Sequence, residues 1–184
     1  MKITFKSPIT LIFALLAVLF YFFFQADGDI PRIFVLYGDF QLTNWKWYIS
    51  LIGYTLSHGS ISHLIGNISI LLLLGPMIEK RYGSKRLLIM LCLTALLTAL
   101  VHIIFWNHHL IGASGLVFMM IVISSLVDIK GDEIPFTFIL IVLLYIGKEV
   151  VRAFSADDVS QFAHISGGVL GMMFGFIYRS KGSR

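Results

Sequence analysis

Six apolar runs, each fenced by charged residues or turn formers, constrain this chain more than any other feature. They extend from about Pro8 to Phe24, Ser60 to Ile78, Arg86 to Trp106, Ser114 to Val127 and Pro135 to Ile146, and from the end of Asp158-Val159-Ser160-Gln161 to Tyr178. At a helical rise of about 1.5 Å per residue, the longer runs cross a hydrocarbon core of about 30 Å. Inside lipid a helix bonds its own backbone groups. A soluble domain of this size is about half apolar and about a quarter charged. Here 58% of residues are hydrophobic and 13% charged, so the expected fold is an all-α, six-span membrane domain covering residues 1–184.

Several function classes drop out. The formal charge is +4, but the basic residues stand at segment ends rather than on one face, so a nucleic-acid partner is not expected. A single cysteine, Cys92, excludes an intramolecular disulfide. The chain offers too few ligands for a structural metal, and no cofactor is expected. Lys2 and Lys6 precede the first run, but no small-residue cleavage site follows it cleanly, so the run reads as a retained span.

The ends of the runs carry local signals. Ser7 can cap the first helix, with Pro8 at its first position. Residues 25–59 hold Phe34, Tyr37, Phe40, Trp45, Trp47, Tyr48 and Tyr54, which favour a membrane interface and leave room for one or two short helices. Asp158-Val159-Ser160-Gln161 has capping-box-like spacing. The run from Ser114 is only about 21 Å long as a helix, so its start is expected below the membrane surface. Gly167, Gly171 and Gly175 recur every four residues, a stripe that lets another helix approach closely.

Lys and Arg set the orientation. With six spans, Lys2, Lys6, Lys80, Arg81, Lys85, Arg86, Lys130, Arg179, Lys181 and Arg184 fall on the side of the termini. Arg32, Lys46, Lys148 and Arg152 fall on the other. Both termini are therefore expected in the cytoplasm of a multi-pass cell-membrane protein. The second, fourth and sixth spans then enter from outside. His63 and Asn67, spaced i, i+4 on one face, lie near the start of the second, with His58 just before it. Ser114 opens the fourth and His164 lies near the start of the sixth. All can share a depth of roughly 5–12 Å.

Intramembrane polar residues suggest function, although interhelical hydrogen bonding also explains single cases. Gly112-Ala113-Ser114-Gly115 leaves the hydroxyl uncovered, but it also reads as a small-residue helix start that merely packs tightly. Together these residues permit acyl transfer. Ser114 needs a base, and His164 is the one histidine on a facing helix at that depth. Asn67, His63 and the Ser114 N–H can meet a developing oxyanion. A nucleophile elbow does not fit, because Leu116 stands where it requires glycine. No His-Glu-x-x-His occurs.

His58-x4-His63-x3-Asn67, Glu79-Lys80-Arg81-x-Gly83, Gly112-Ala113-Ser114-Gly115 and Ala163-His164-x2-Gly167-x3-Gly171 occur in this order on the expected spans. Over nearly its whole length the chain resembles the rhomboid intramembrane serine proteases. The resemblance implies a rhomboid-like bundle with a partly embedded first outer loop. It implies Ser114 as nucleophile, His164 as base, and His63, Asn67 and the Ser114 backbone as oxyanion hole. Phe118 matches the aromatic position that packs on the catalytic histidine. Gly112, Gly115, Gly167, Gly171 and His58 are supporting residues. One departure is that the Trp-Arg pair frequent in the family's first outer loop is Trp47-Tyr48 here.

The implied activity is cleavage of transmembrane protein substrates near the outer face of the lipid bilayer. The competing reading is a non-catalytic relative that binds or chaperones transmembrane segments. A small transporter would want an inverted repeat, and none is found. Asp158 is about 9 Å before His164 along the helix axis and suits a cap better than a triad, so a Ser–His dyad is expected.

Overall fold

The computed structural model describes residues 6–25, 30–127, 134–146 and 160–178. Its regular elements are helices, and two short loop segments meet in an isolated antiparallel bridge, Leu36 to Leu110. The helices are α1 (Pro8–Phe20), α2 (Trp45–Gly53), α3 (Ile61–Tyr82), α4 (Ser84–Phe105), α5 (Ser114–Ser124), α6 (Phe136–Ile141) and α7 (Ser160–Ile177). Two of them, α3 and α4, are long and apolar enough to cross a membrane. Pro8–Phe24, Ser114–Ser124 and Gln161–Ile177 are apolar but shorter. The chain is thus an all-α, membrane-associated fold.

Local sequence accounts for most boundaries. Ser60 accepts the His63 N–H at 3.1 Å and starts α3. Gly83, with φ +86°, ends α3 and begins α4, a conformation that costs glycine little. Helix α3 continues through Glu79-Lys80-Arg81 to Tyr82, four residues past the expected end, because that positive-φ glycine is the first residue to break it. Pro135 precedes α6, which passes into a π-helical turn, Val142–Ile146. The expected cap at Asp158 lies outside the described residues.

The expectation for Ser7 fails. Its side chain makes no capping bond. Glu79, on α3, caps α1 instead. Its carboxylate accepts the Ile9 N–H and the Thr10 N–H, each at 3.0 Å, and the Thr10 hydroxyl at 2.8 Å. A carboxylate held by the free N–H groups of a helix start is favoured both by hydrogen bonding and by the helix dipole. Gly75, one turn earlier, leaves room for the Thr10 side chain. The start of α1 is therefore tied to the end of α3.

The aromatic connection contains α2 and two 3-10 turns, Arg32–Phe34 and Tyr54–Leu56. Trp47 donates from Nε1 to the Asp39 carbonyl at 3.0 Å, and Tyr48 donates to the Leu42 carbonyl at 2.9 Å. Trp47-Tyr48 thus ties the connection to itself without an arginine. Trp47 is buried, whereas Trp45 and Tyr48 face outward.

Candidate active site

Ser114 is the first residue of α5 and is half-buried. The loop that delivers it is held by backbone bonds. Leu36 and Leu110 exchange N–H···O bonds of 3.1 and 2.9 Å, and the Gly112 N–H donates to the Tyr54 carbonyl at 2.9 Å. Gly112 has φ +116° and lies against the His63 ring. A methyl group there would sit 2.8 Å from the ring's Cε1. Both facts demand glycine at this position.

On the other side, Gly115 faces the chain beside His164. A methyl on Gly115 would lie 3.1 Å from the Ala163 carbonyl oxygen. One turn further, Gly167 lies directly on the Gly115 carbonyl, and Gly171 on the Met119 backbone. Helices α5 and α7 pack more extensively than any other pair among the described residues. The stripe thus faces the Ser114 helix. Phe118 stacks on the His164 ring, with centroids 4.2 Å apart and planes 4° from parallel.

Helix α3 supplies the third wall. His63 is half-buried, with its ring against Gly112. Asn67, one turn below, is buried, and its Nδ2 donates no hydrogen bond among the described residues. A buried amide without an acceptor is costly unless something else receives it. His58 is in a layer behind, fully buried, with its ring edge-on to His63 at 5.1 Å and its Nδ1 3.2 Å from the Leu56 carbonyl. Burial, reinforced by His63, holds its pKa at about 4 despite the opposing carbonyl. His58 is therefore neutral at pH 7.

His102, near the end of α4, bonds through Nε2 to the His108 carbonyl at 2.9 Å and stacks on Trp106. The structure thus gathers Gly112, Ser114, Gly115, His63, Phe118, His164 and Gly167 around one helix start. His58 backs this group through its edge-on contact with His63. The roles of Tyr54 and Ala163, whose carbonyls seat the two glycines beside Ser114, were not foreseen. No pattern in their side chains signals them. No group of three His, Cys, Asp or Glu residues that could hold a metal occurs among the described residues.

A family model, the Rhomboid domain, matches residues 44–181, three-quarters of the chain. The chain belongs to the rhomboid family. It is 27% identical to the rhomboid protease GlpG of Haemophilus influenzae over 94% of this chain and 91% of that protein. It is 27% identical to Rhomboid-related protein 1 of Caenorhabditis elegans over 86% of this chain, and 26% identical to the GlpG of Photorhabdus laumondii over 91%. The matches span 51% and 60% of those two longer proteins. The glycine-flanked Ser114, and His164 stacked on Phe118 of the same helix, therefore stand in a rhomboid-family chain related to rhomboid proteases.

Proposed function

We propose that this rhomboid-family chain is an intramembrane serine endopeptidase that cleaves transmembrane protein substrates near the outer face of the bilayer. Ser114 Oγ attacks the scissile carbonyl carbon, and His164 takes its proton. The carbonyl oxygen becomes an oxyanion that accepts hydrogen bonds from the Asn67 amide, the Ser114 N–H and the His63 ring. The tetrahedral species collapses. The C–N bond breaks, and His164 returns its proton to the leaving amine. Water then attacks the acyl-enzyme with His164 again as base, and Ser114 is regenerated.

The observation that carries this reading is the seat of His164. Its ring lies flat on Phe118, one turn below Ser114 on the same helix, where glycine backbone contacts bring α7 against α5. An imidazole held in one plane beside a serine helix start supports a dyad, which needs the ring within hydrogen-bond reach of the hydroxyl. The Nδ2 of Asn67, which donates no hydrogen bond among the described residues, adds a donor.

The same reading takes residues 1–184 as one six-span domain of the cell membrane with both termini cytoplasmic. Reporter fusions after Arg81 and Lys130 then read cytoplasmic, and one near Asn107 reads external. The deciding experiment is cleavage of a single-span substrate in liposomes by the native chain and by Ser114→Ala, alongside fluorophosphonate labelling. Labelling lost in Ser114→Ala identifies an activated serine. An unlabelled, inactive native chain refutes the protease reading.

A further inference from the structure

The end of the molecule opposite Ser114 carries a concentrated positive charge. Lys80 and Arg81 close α3, Lys85 and Arg86 open α4, and the single residue Gly83 joins the two helices. All four side chains are exposed. Lys6, also exposed, comes to the same end because α1 is tied to Glu79. Glu79 is the one acid at this end among the described residues. It is buried, and both its oxygens are engaged by Ile9 and Thr10. It does not neutralise the surface. At the other end the described charges are mixed, Arg32 and Lys46 with Asp39.

The charge borders apolar surface. Leu73 and Met77 on α3, and Leu88 and Ile89 on α4, are exposed within about two turns of the basic residues. Arg86 lies 5.4 Å from the centre of the Tyr178 ring, so its stem is braced against the end of α7 while its charge remains at the surface. An amphiphile with an anionic head and acyl chains matches this succession of cations and apolar side chains.

We propose that the α3–α4 turn is a binding surface for anionic phospholipid headgroups, carried by Lys80, Arg81 and Lys85, with Arg86 bracing it against α7. The match is one of charge. Clustered Lys or Arg at the end of a membrane helix attracts anionic lipid by about 1 kcal/mol per residue, or about fivefold in affinity. The proposal rests on membrane association and not on catalysis.

The test uses the full chain in neutral detergent, titrated with phosphatidylglycerol or phosphatidylcholine, with bound lipid counted by native mass spectrometry. Phosphatidylglycerol binds more tightly, and added salt weakens it. The triple variant Lys80→Gln, Arg81→Gln, Lys85→Gln loses about a hundredfold in affinity for phosphatidylglycerol and none for phosphatidylcholine. Single Lys85→Gln, at an exposed position, loses about fivefold. The pair Arg32→Gln, Lys46→Gln at the other end binds as the native chain does. Equal binding of the two lipids overturns the proposal, as does full phosphatidylglycerol binding in Lys85→Gln and the folded triple variant. An equal loss in the Arg32, Lys46 pair reduces the effect to net charge. Displacement of phosphatidylglycerol by millimolar inorganic phosphate would make the turn a free-phosphate site instead.

Discussion

Substituting four glycines by alanine tests whether backbone contact between α5 and α7 sets the geometry at Ser114. At Gly171 the new methyl would lie 2.5 Å from the Met119 carbonyl oxygen, whereas ordinary contact begins at 3.4 Å. The difference, 3.4 minus 2.5, requires the helices to part by about 0.9 Å. At Gly167 the methyl would fall on the Gly115 carbonyl itself, 2.8 Å from its carbon and 3.0 Å from the Gly115 Cα, so the shift is larger and closer to Ser114. At Gly175 the three nearest atoms all belong to the Leu126 side chain; its Cδ1 can turn away, and its Cβ, 3.1 Å from the new methyl, needs to give by only a few tenths of an ångström. At Gly66, on the exposed face of α3, nothing lies within 4 Å. A displacement of about 1 Å in a catalytic pair costs about a hundredfold in rate, or about 2.7 kcal/mol of barrier. Overpacking costs about 1–3 kcal/mol of stability. Cleavage of a single-span reporter in proteoliposomes is therefore expected to fall about a hundredfold in Gly171→Ala and further in Gly167→Ala. It should stay within a few-fold of native in Gly175→Ala and Gly66→Ala. Thermal unfolding in the same detergent identifies any variant that simply does not fold. Native turnover in a folded Gly167→Ala would refute the claim that backbone packing sets the dyad. Equal losses at Gly66 and Gly171 would do so as well.

Four further outcomes follow from the same geometry. Ser114→Ala and His164→Ala each abolish cleavage in a folded protein, whereas Asn67→Ala lowers turnover by up to about a hundred- to a thousandfold, read as initial rates on one substrate. Glu79→Ala strips the Ile9 and Thr10 N–H groups and the Thr10 hydroxyl of their acceptor, at about 1–3 kcal/mol for each buried group, and lowers the unfolding temperature. Because burial depresses the His58 pKa to about 4, the unfolded chain binds a proton between about 6.5 and 4 that the folded chain does not. Stability from this residue is complete above about pH 6.5 and is lost as pH falls towards 4, so a thermal-stability profile over that window should flatten in His58→Gln. Amide substitution of Glu149, Asp157 and Asp158, singly, leaves cleavage largely intact if Ser114 and His164 act as a dyad. A loss as deep as that of Ser114→Ala at any one of them would reveal a third member.

The helices with strong composition were legible in the sequence. Runs bounded by Arg86 and Trp106, or by Ser60 and the Glu79-Lys80-Arg81 cluster, specify α4 and α3 because apolar length and charged ends are one-dimensional signals. The i, i+4 spacing of His63 and Asn67 and the four-residue glycine period were legible for the same reason. The ties between distant segments were not. Glu79 looks like part of a charged helix end and gives no sign that it caps α1, because the partners are backbone N–H groups, which every residue has. Ser7 looks like a cap and does not act as one, because a charged acceptor on a neighbouring helix occupies the place. The carbonyls of Tyr54 and Ala163, which seat Gly112 and Gly115, are equally silent. Side-chain chemistry identifies candidates, but backbone acceptors decide where they are held.

That division explains why the glycines gather where they do. Within lipid there is little hydrophobic gain in bringing two helices together, so approach depends on close packing and on polar contacts. Side chains as large as leucine would hold α5 and α7 about 8–10 Å apart, with rotamer freedom at the contact. Glycine on carbonyl removes that freedom. Gly167 on Gly115 and Gly171 on Met119 bring main chain to main chain, and main chain does not change rotamer. Ser114 and His164 then sit on two helices whose backbones touch, while Phe118, stacked flat on the imidazole, limits the tilt of that ring. A Phe118→Ala change should therefore leave the helices in place and remove the stacking that limits the ring's tilt. Turnover would fall with little change in unfolding temperature, the reverse of the Glu79→Ala result. If Phe118→Ala instead lowered stability and spared the rate of the folded fraction, the stacked ring would be packing rather than orientation.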